Sequence, residues 1–248
     1  MTADEAYADP RALARRDPNV VGLFLGGSRG KGIATEHSDY DVYVIVRRNV
    51  GEYRRKFPLR HGEDPEIIVL SLAEFRRHAA IGSESEWNRY NFAHVTVEFD
   101  KTGGEVQGLV DEKGSLPREA ARSIAAEALD GYINQYYRSA KNHRDGNELA
   151  ARLDAAESVP YFLTTLFALH ERVRPFNKYL RWELEQHPLP GGDWSAERLL
   201  PMLEAVLAGE LAAQRELFLG LERLARERGH DHLVDAWGDD DIAWLRGS

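Results

Sequence analysis

The sequence contains no cysteine, so disulfide bonds and thiolate metal sites are excluded. It also lacks a run of 18 apolar residues, which is about the length that a membrane-spanning helix needs. The N-terminal stretch MTADEAYADP is acidic and has no apolar segment, which argues against a secretory signal. We therefore expect a cytoplasmic protein without a membrane partner.

Positive charge is also scarce. Lysine and arginine number 32 against 41 aspartate and glutamate residues, which gives a net charge of −9. Binding to a phosphate backbone needs clustered basic residues, so nucleic acid is not an expected partner. An acidic protein suits a cationic ligand better, although most acidic proteins carry their charge for solubility.

The chain changes character near its middle. Before residue 115, short apolar and β-branched runs predict strands at Val20–Leu25, Tyr40–Val46, Glu66–Leu70, Ala93–Phe99 and Val106–Val110. Helices are predicted before the first strand, at Arg11–Arg16 after an Asp9 N-cap, and after the third strand, at Leu72–Ala80 after a Ser71 N-cap. After Pro117 apolar residues recur at helical spacing and no strand pattern is evident. The sequence therefore predicts an α+β protein, with a mixed sheet and flanking helices in 1–114 and an all-α helical bundle in 115–248.

Two aspartates, Asp39 and Asp41, stand at the start of the second predicted strand. Because side chains in a strand alternate between faces, both carboxylates should point to the same side. Two such charges repel each other unless a cation joins them, and Mg²⁺ prefers oxygen ligands. The alternative is a pair of solvated carboxylates at a strand edge.

A glycine-rich turn, Gly26–Gly32, directly follows the first predicted strand. Glycines let backbone N–H groups approach a phosphate closely, and Ser28, Arg29 and Lys31 would add a hydroxyl donor and positive charge. The spacing fits neither a Walker loop, since Gly30-Lys31 comes one residue early and ends in Gly32, nor a dinucleotide fingerprint. A flexible glycine loop is the alternative interpretation.

Gly26-Gly27-Ser28, followed after ten residues by Asp39-Tyr40-Asp41 on the next strand, resembles the nucleotidyltransferase superfamily that includes polymerase-β-like enzymes. The α/β half followed by a helical half is most similar to the aminoglycoside nucleotidyltransferase branch. The resemblance implies that 1–114 is a nucleotidyltransferase domain in which Gly27, Ser28 and Arg29 bind the nucleotide. It also implies that Asp39 and Asp41 are catalytic and hold one or two Mg²⁺ ions.

The same resemblance implies a third acidic residue on a neighbouring strand, as a metal ligand or as the general base. Glu66, which opens the third predicted strand, is the first choice, and Glu98 is the competitor. A basic residue of the helical half is also implied, and Lys178 could bind the triphosphate, although it could equally mark the start of a surface helix. Asp154, Glu157 and Glu171 could line an acceptor pocket, although a solvated helix face explains them as well.

These expectations favour transfer of AMP from ATP to a hydroxyl of a small, plausibly cationic acceptor such as an aminoglycoside. Two alternatives stay open. One is a protein-modifying (AMPylating) or toxin–antitoxin-type nucleotidyltransferase, against which the length of the helical half argues. The other is a non-catalytic nucleotide-binding protein, against which Ser28, Asp39 and Asp41 argue.

Overall fold

The computed structural model describes residues 3–59 and 64–247. The chain divides into two compact units, Met1–Ser115 and Leu116–Ser248, and each is considered by itself. Among the described helices, none combines the length and the apolar character needed to cross a membrane.

The first unit is built on a four-stranded sheet. Its strands are β1 (Val20–Leu25), β2 (Asp41–Val46), β3 (Glu66–Ser71) and β4 (Phe99–Asp100). The order across the sheet is β3-β2-β1-β4; β2 and β3 run parallel, whereas β1 is antiparallel to both β2 and β4. This mixed sheet, followed by a mostly helical second unit, confirms the α+β prediction.

Apolar residues cover both faces of this sheet. Tyr43 and Ile45 of β2 belong to one buried cluster, and the intervening Val42 and Val44 belong to another. This alternation is what the two-residue period of a strand requires, and burial on both faces explains why β1 and β2 are nearly continuous apolar runs. The strands are therefore held firmly, and the residues at their ends have fixed positions.

The helices of the first unit are α1 (Ala3–Arg16), the single turn α2 (Gly27–Gly30), α3 (Val50–Lys56), α4 (Leu72–Arg77) and α5 (Glu105–Gly114). A 3₁₀ helix, Glu86–Phe92, precedes β4. The predicted capping box of α4 is confirmed, because Ser71 and Glu74 exchange side-chain and backbone hydrogen bonds.

Three predictions in this unit were wrong. The first helix begins before Pro10, because Tyr7, Pro10 and Ala14 form one buried face. The run at 106–110 is helical, because Val106 and Val110 lie four residues apart and are both buried in one cluster. The predicted strand Ala93–Phe99 is reduced to Phe99 and the following residue, since His94 takes a positive φ of 60° that interrupts an extended chain.

The second unit is mostly helical in its described part, 116–247, as predicted. Its helices are α6 (Arg118–Arg144), α7 (Glu148–Leu169), α8 (Leu180–Gln186), α9 (Ala196–Leu207), α10 (Leu211–Glu227), α11 (Asp231–Asp235) and α12 (Asp239–Arg246), with a 3₁₀ turn at Asn177–Tyr179. The long helices α6 and α7 pack against each other most extensively. Pro160, where we expected a new helix or a kink, lies inside the single helix α7.

Candidate active site at the edge of the sheet

The start of β2 brings Asp41 beside Glu66. The two residues are direct partners in the parallel register of β2 and β3, on strands that lie about 4.8 Å apart. Directly paired residues point to the same face, and both carboxylates act on the Tyr43 hydroxyl of that face. Asp39 precedes the strand by two residues and is exposed. Thus the structure brings Asp41 and the predicted third carboxylate together.

The glycine turn is joined to this pair by the backbone. The N–H of Gly26 donates to the carbonyl oxygen of Asp41 at 2.9 Å. Gly27 then takes a positive φ of 54°, which favours glycine, and begins the single turn α2. The first hydrogen bond of this turn runs from the N–H of Gly30 to the oxygen of Gly26, so the N–H groups of residues 27–29 come before it. Such N–H groups are suited to bind an anion.

Arg29 contacts the loop that leads to the aspartates. Its Nη2 donates to the Ser38 carbonyl oxygen at 2.7 Å, and its Nε donates to the Asp39 carbonyl oxygen at 3.1 Å. The guanidinium also lies 3.6 Å from the centre of the Tyr40 ring. Arg29 therefore connects the glycine turn to the Asp-x-Asp segment, a positioning role that the sequence pattern did not indicate.

Lys31 does not add charge beside the turn as we expected. The residue is only 8% exposed. The ammonium donates to the carbonyl oxygens of Tyr90 at 2.9 Å and Ala93 at 2.7 Å. Lys31 therefore fastens the end of the glycine turn to the 3₁₀ helix and the residues that follow it.

Two contributors to the site were missed. Asp64 Oδ1 accepts a hydrogen bond at 2.9 Å from the N–H of Tyr40, the residue between Asp39 and Asp41. In the sequence, Asp64 stands before Pro65 and indicated only a loop. Tyr43 lies under the carboxylates, and Asn88 Nδ2 donates to its hydroxyl at 3.2 Å. Burial raises the pKa of Tyr43 to about 12, with Asp41 and Glu66 adding to the increase. Tyr43 therefore stays neutral at physiological pH.

Glu98, the competing third carboxylate, is occupied by α1. Its carboxylate accepts hydrogen bonds from Tyr7, Arg11 and Arg15. Burial alone would raise the pKa of Glu98, but these donors outweigh it and lower the pKa. Tyr7 belongs to the buried cluster of the face opposite Tyr43. The geometry therefore favours Glu66 over Glu98.

The donor chemistry of Asp39, Asp41 and Glu66 suits a hard divalent cation, because all three offer carboxylate oxygens. Within residues 3–59 and 64–247, no group of three or more histidine, aspartate or glutamate side chains is gathered closely enough to hold a metal ion. The assignment of Mg²⁺ to Asp39 and Asp41 stays a prediction.

The residues singled out in the helical unit have mixed outcomes. Lys178 is exposed in the 3₁₀ turn Asn177–Tyr179, with its ammonium 4.8 Å from the centre of the Tyr179 ring, and its role at a triphosphate stays a prediction. Asp154 is not solvated, because it is buried and accepts a hydrogen bond from Asn142 at 2.8 Å. Glu171 is exposed.

A comparison with protein families agrees with the motif. Residues 10–94 match the family model described as nucleotidyltransferase domain, which spans β1, the glycine turn, β2 and β3. No curated protein matched the chain. A crystal structure of a nucleotidyltransferase-like protein from Exiguobacterium sibiricum 255-15 is 12% identical, with 99% of this chain and 87% of that chain covered and a TM-score of 0.41.

The match at 10–94 and the geometry of the sheet edge concern the same residues. Both include the glycine turn, Asp39, Asp41 and Glu66. The N-terminal part of the chain therefore matches the nucleotidyltransferase domain family, and this match supports nucleotidyl transfer as its general activity.

Proposed function

We propose that the protein transfers a nucleoside monophosphate, AMP from ATP, to a hydroxyl of a small acceptor, with an aminoglycoside as the first candidate. The observation that supports this proposal is the direct pairing of Asp41 with Glu66 beside the glycine turn, inside the segment that matches the nucleotidyltransferase family. The net charge of −9 suits a cationic acceptor.

In this proposal the glycine turn binds the triphosphate. The N–H groups of residues 27–29 and the Ser28 hydroxyl are donors for phosphate oxygens. Arg29 contributes chiefly by holding the backbone of Ser38 and Asp39 in place. Asp39 and Asp41 would hold one or two Mg²⁺ ions, which when bound neutralise charge on the phosphates.

Glu66 is the proposed general base. The acceptor oxygen forms a bond to the α-phosphorus, the bond from that phosphorus to the pyrophosphate oxygen breaks, and the hydroxyl proton passes to the Glu66 carboxylate. The parallel register fixes the backbone of Glu66 beside that of Asp41, and the N–H of Glu66 also donates to the Tyr40 carbonyl oxygen at 2.8 Å. A fixed base is what an in-line transfer needs, because its catalysis comes mainly from positioning.

The proposal is tested with ATP labelled at the α-phosphate, Mg²⁺ and a panel of aminoglycosides. We expect a labelled acceptor, stoichiometric pyrophosphate, and weaker transfer from GTP, CTP and UTP. No labelled product from any aminoglycoside would remove the antibiotic as acceptor. Label on a co-purifying protein would favour the protein-modifying alternative, and tight Mg-ATP binding without pyrophosphate release would favour the non-catalytic one.

A further inference from the structure

The helical unit contains a cavity with a mostly apolar lining. Its volume is about 400 Å³, which is within the usual range for small-molecule pockets. The apolar lining comes from three helices, α7, α8 and α9, and includes Ala156, Val159, Leu163, Leu180, Leu200 and Leu203. An apolar molecule that enters this cavity would therefore leave water for a hydrophobic surface.

This apolar lining can be reached from solvent. Leu207, at the end of α9, also lines the cavity and is 55% exposed. On α7, Ala156 and Val159 are half-buried, and Pro160 is exposed. Concave apolar surface that is open to solvent is typical of a ligand site.

One charged side chain is held in place at this cavity. Arg174, which follows α7, lines the cavity and is half-buried. Its Nη1 donates to the Pro160 carbonyl oxygen at 3.2 Å, and its Nη2 donates to Asn177 Oδ1 at 3.1 Å. Thr164 Oγ1 lies 3.4 Å from the same Nη1. These acceptors are neutral, so they fix the guanidinium without neutralising its charge.

The charge of Arg174 has no counter-ion in the part of the chain that the structure describes. Within residues 3–59 and 64–247 its guanidinium forms no ion pair, and its Nε–H makes no hydrogen bond. Burial lowers the pKa of Arg174, although an arginine stays charged in a protein. Because a half-buried charge without a partner is unfavourable, a bound anion would stabilise this side chain.

The other charged residues of the cavity do not cancel this charge. They are two cations, Lys178 and Arg181, and one anion, Glu204, which is exposed. Arg181 Nη1 lies 3.6 Å from Glu185 Oε1, and both of these side chains are exposed. The cavity therefore keeps an excess of positive charge beside its apolar lining.

We propose that this cavity binds a small carboxylic acid with an apolar chain, with the carboxylate on Arg174 and the chain against the leucines of α7, α8 and α9. The two oxygens of a carboxylate match the planar N–H groups of a guanidinium. One unpaired arginine suits the single charge of a carboxylate, and an anion without an apolar chain would leave the lining unused. This inference does not depend on the proposed nucleotidyl transfer, and Lys178 is left unaltered in every variant below.

The test is calorimetric titration of the full chain with sodium octanoate, at constant ionic strength and below the concentration at which octanoate forms micelles. Arg174→Gln removes the guanidinium at the cavity, and Arg144→Gln removes an exposed one at the C-terminal end of α6 as the matched control. We expect octanoate binding to weaken by at least about tenfold in Arg174→Gln and to stay within about twofold in Arg144→Gln. The uncharged 1-octanol should bind more weakly than octanoate, and with the same affinity in both variants.

A second variant decides the question even where Arg174→Gln does not fold. Ala156→Leu adds a larger side chain to the cavity lining and leaves Arg174 in place. We expect it to weaken octanoate binding with an unchanged circular dichroism spectrum. In the unaltered protein, the methyl signals of Val159, assigned by nuclear magnetic resonance with Val159→Ala, should shift and saturate with octanoate.

Three results would overturn the proposal. One is that octanoate does not bind the unaltered protein, or binds without moving the Val159 signals. Another is equal octanoate affinity in the unaltered protein and in a folded Arg174→Gln or Ala156→Leu variant. The third is that acetate or 1-octanol binds as tightly as octanoate, because the proposal requires both the charge and the apolar chain.

Discussion

Gly30 should not tolerate a side chain, because the glycine turn is packed against the end of β1. A Cβ at this position would lie 2.1 Å from the carbonyl oxygen of Leu25 and 3.1 Å from a methyl carbon of Val95. The nearest atom belongs to the backbone, so it cannot give way as a flexible side chain would. Gly30→Ala must therefore push the turn away from the strand.

The expected cost follows from this overlap. Overpacking a well-filled site lowers the free energy of unfolding by about 1–3 kcal/mol. Because the backbone must shift in Gly30→Ala, we expect a loss in the upper part of this range, about 2–3 kcal/mol. Gly108→Ala is the matched control, since Gly108 lies inside α5 and a Cβ there meets no atom within 4 Å. Replacing such a helical glycine should stabilise the protein by about 0.5–1 kcal/mol.

The assay is urea unfolding followed by far-ultraviolet circular dichroism. Both glycines lie in the first unit, so both substitutions should move the same transition, in opposite directions. Transfer activity is measured without urea, at a temperature at which both variants are folded. It should fall in Gly30→Ala and stay unchanged in Gly108→Ala. Equal stability of the two variants would refute the close packing of the turn against β1.

Three further substitutions test other parts of the structure. Tyr132→Phe removes a buried hydroxyl that has no hydrogen-bond partner among the residues that the structure describes, and it should leave stability unchanged or raise it by up to about 1 kcal/mol. Tyr136→Phe breaks a 3.0 Å hydrogen bond to the Leu245 carbonyl oxygen and should cost about 1 kcal/mol in the same unfolding assay. Lys31→Met leaves buried carbonyl oxygens without their donor and should destabilise by about 1–3 kcal/mol; no loss would contradict its structural role. Glu98 has a lowered pKa, so its ion pairs stabilise the protein above the unfolded pKa of about 4.3 and lose that effect as the pH falls through the folded value. Glu98→Gln should therefore lower the free energy of unfolding by about 1 kcal/mol at pH 7, a small value because solvent screens the exposed Arg11 and Arg15 partners. The loss should shrink as the pH falls, and a loss that does not change with pH would contradict this.

The part of the site that could be predicted from the sequence is the part that depends on where the strands begin and end. β1, β2 and β3 are short apolar runs with clear ends, so Asp41 and Glu66 could be assigned to strand starts before their pairing was known. Their register is fixed by burial on both faces, since a shift of one residue would turn Tyr43 and Ile45 out of their cluster.

What could not be predicted depends on side chains that contact distant backbone. Gln107 accepts from the N–H of Val97 and donates to the oxygen of Val95, so a helix side chain satisfies a segment that we had expected to pair as a strand. Lys31 and Arg29 likewise bind carbonyl oxygens, although in sequence they resembled phosphate ligands. A five-residue segment such as 106–110, with three apolar residues, is ambiguous by periodicity alone.

The central claim is that nucleotidyl transfer depends on the carboxylates at the glycine-turn end of β2 and β3. The most direct measurement is pyrophosphate release from Mg-ATP, with acceptor, by Asp41→Asn and by Glu98→Gln, which removes a carboxylate committed to α1. We predict a loss of at least about 10²–10³-fold for Asp41→Asn and less than about threefold for Glu98→Gln in folded protein. Equal rates in Asp41→Asn and the unaltered protein, or a larger loss in Glu98→Gln, would contradict it.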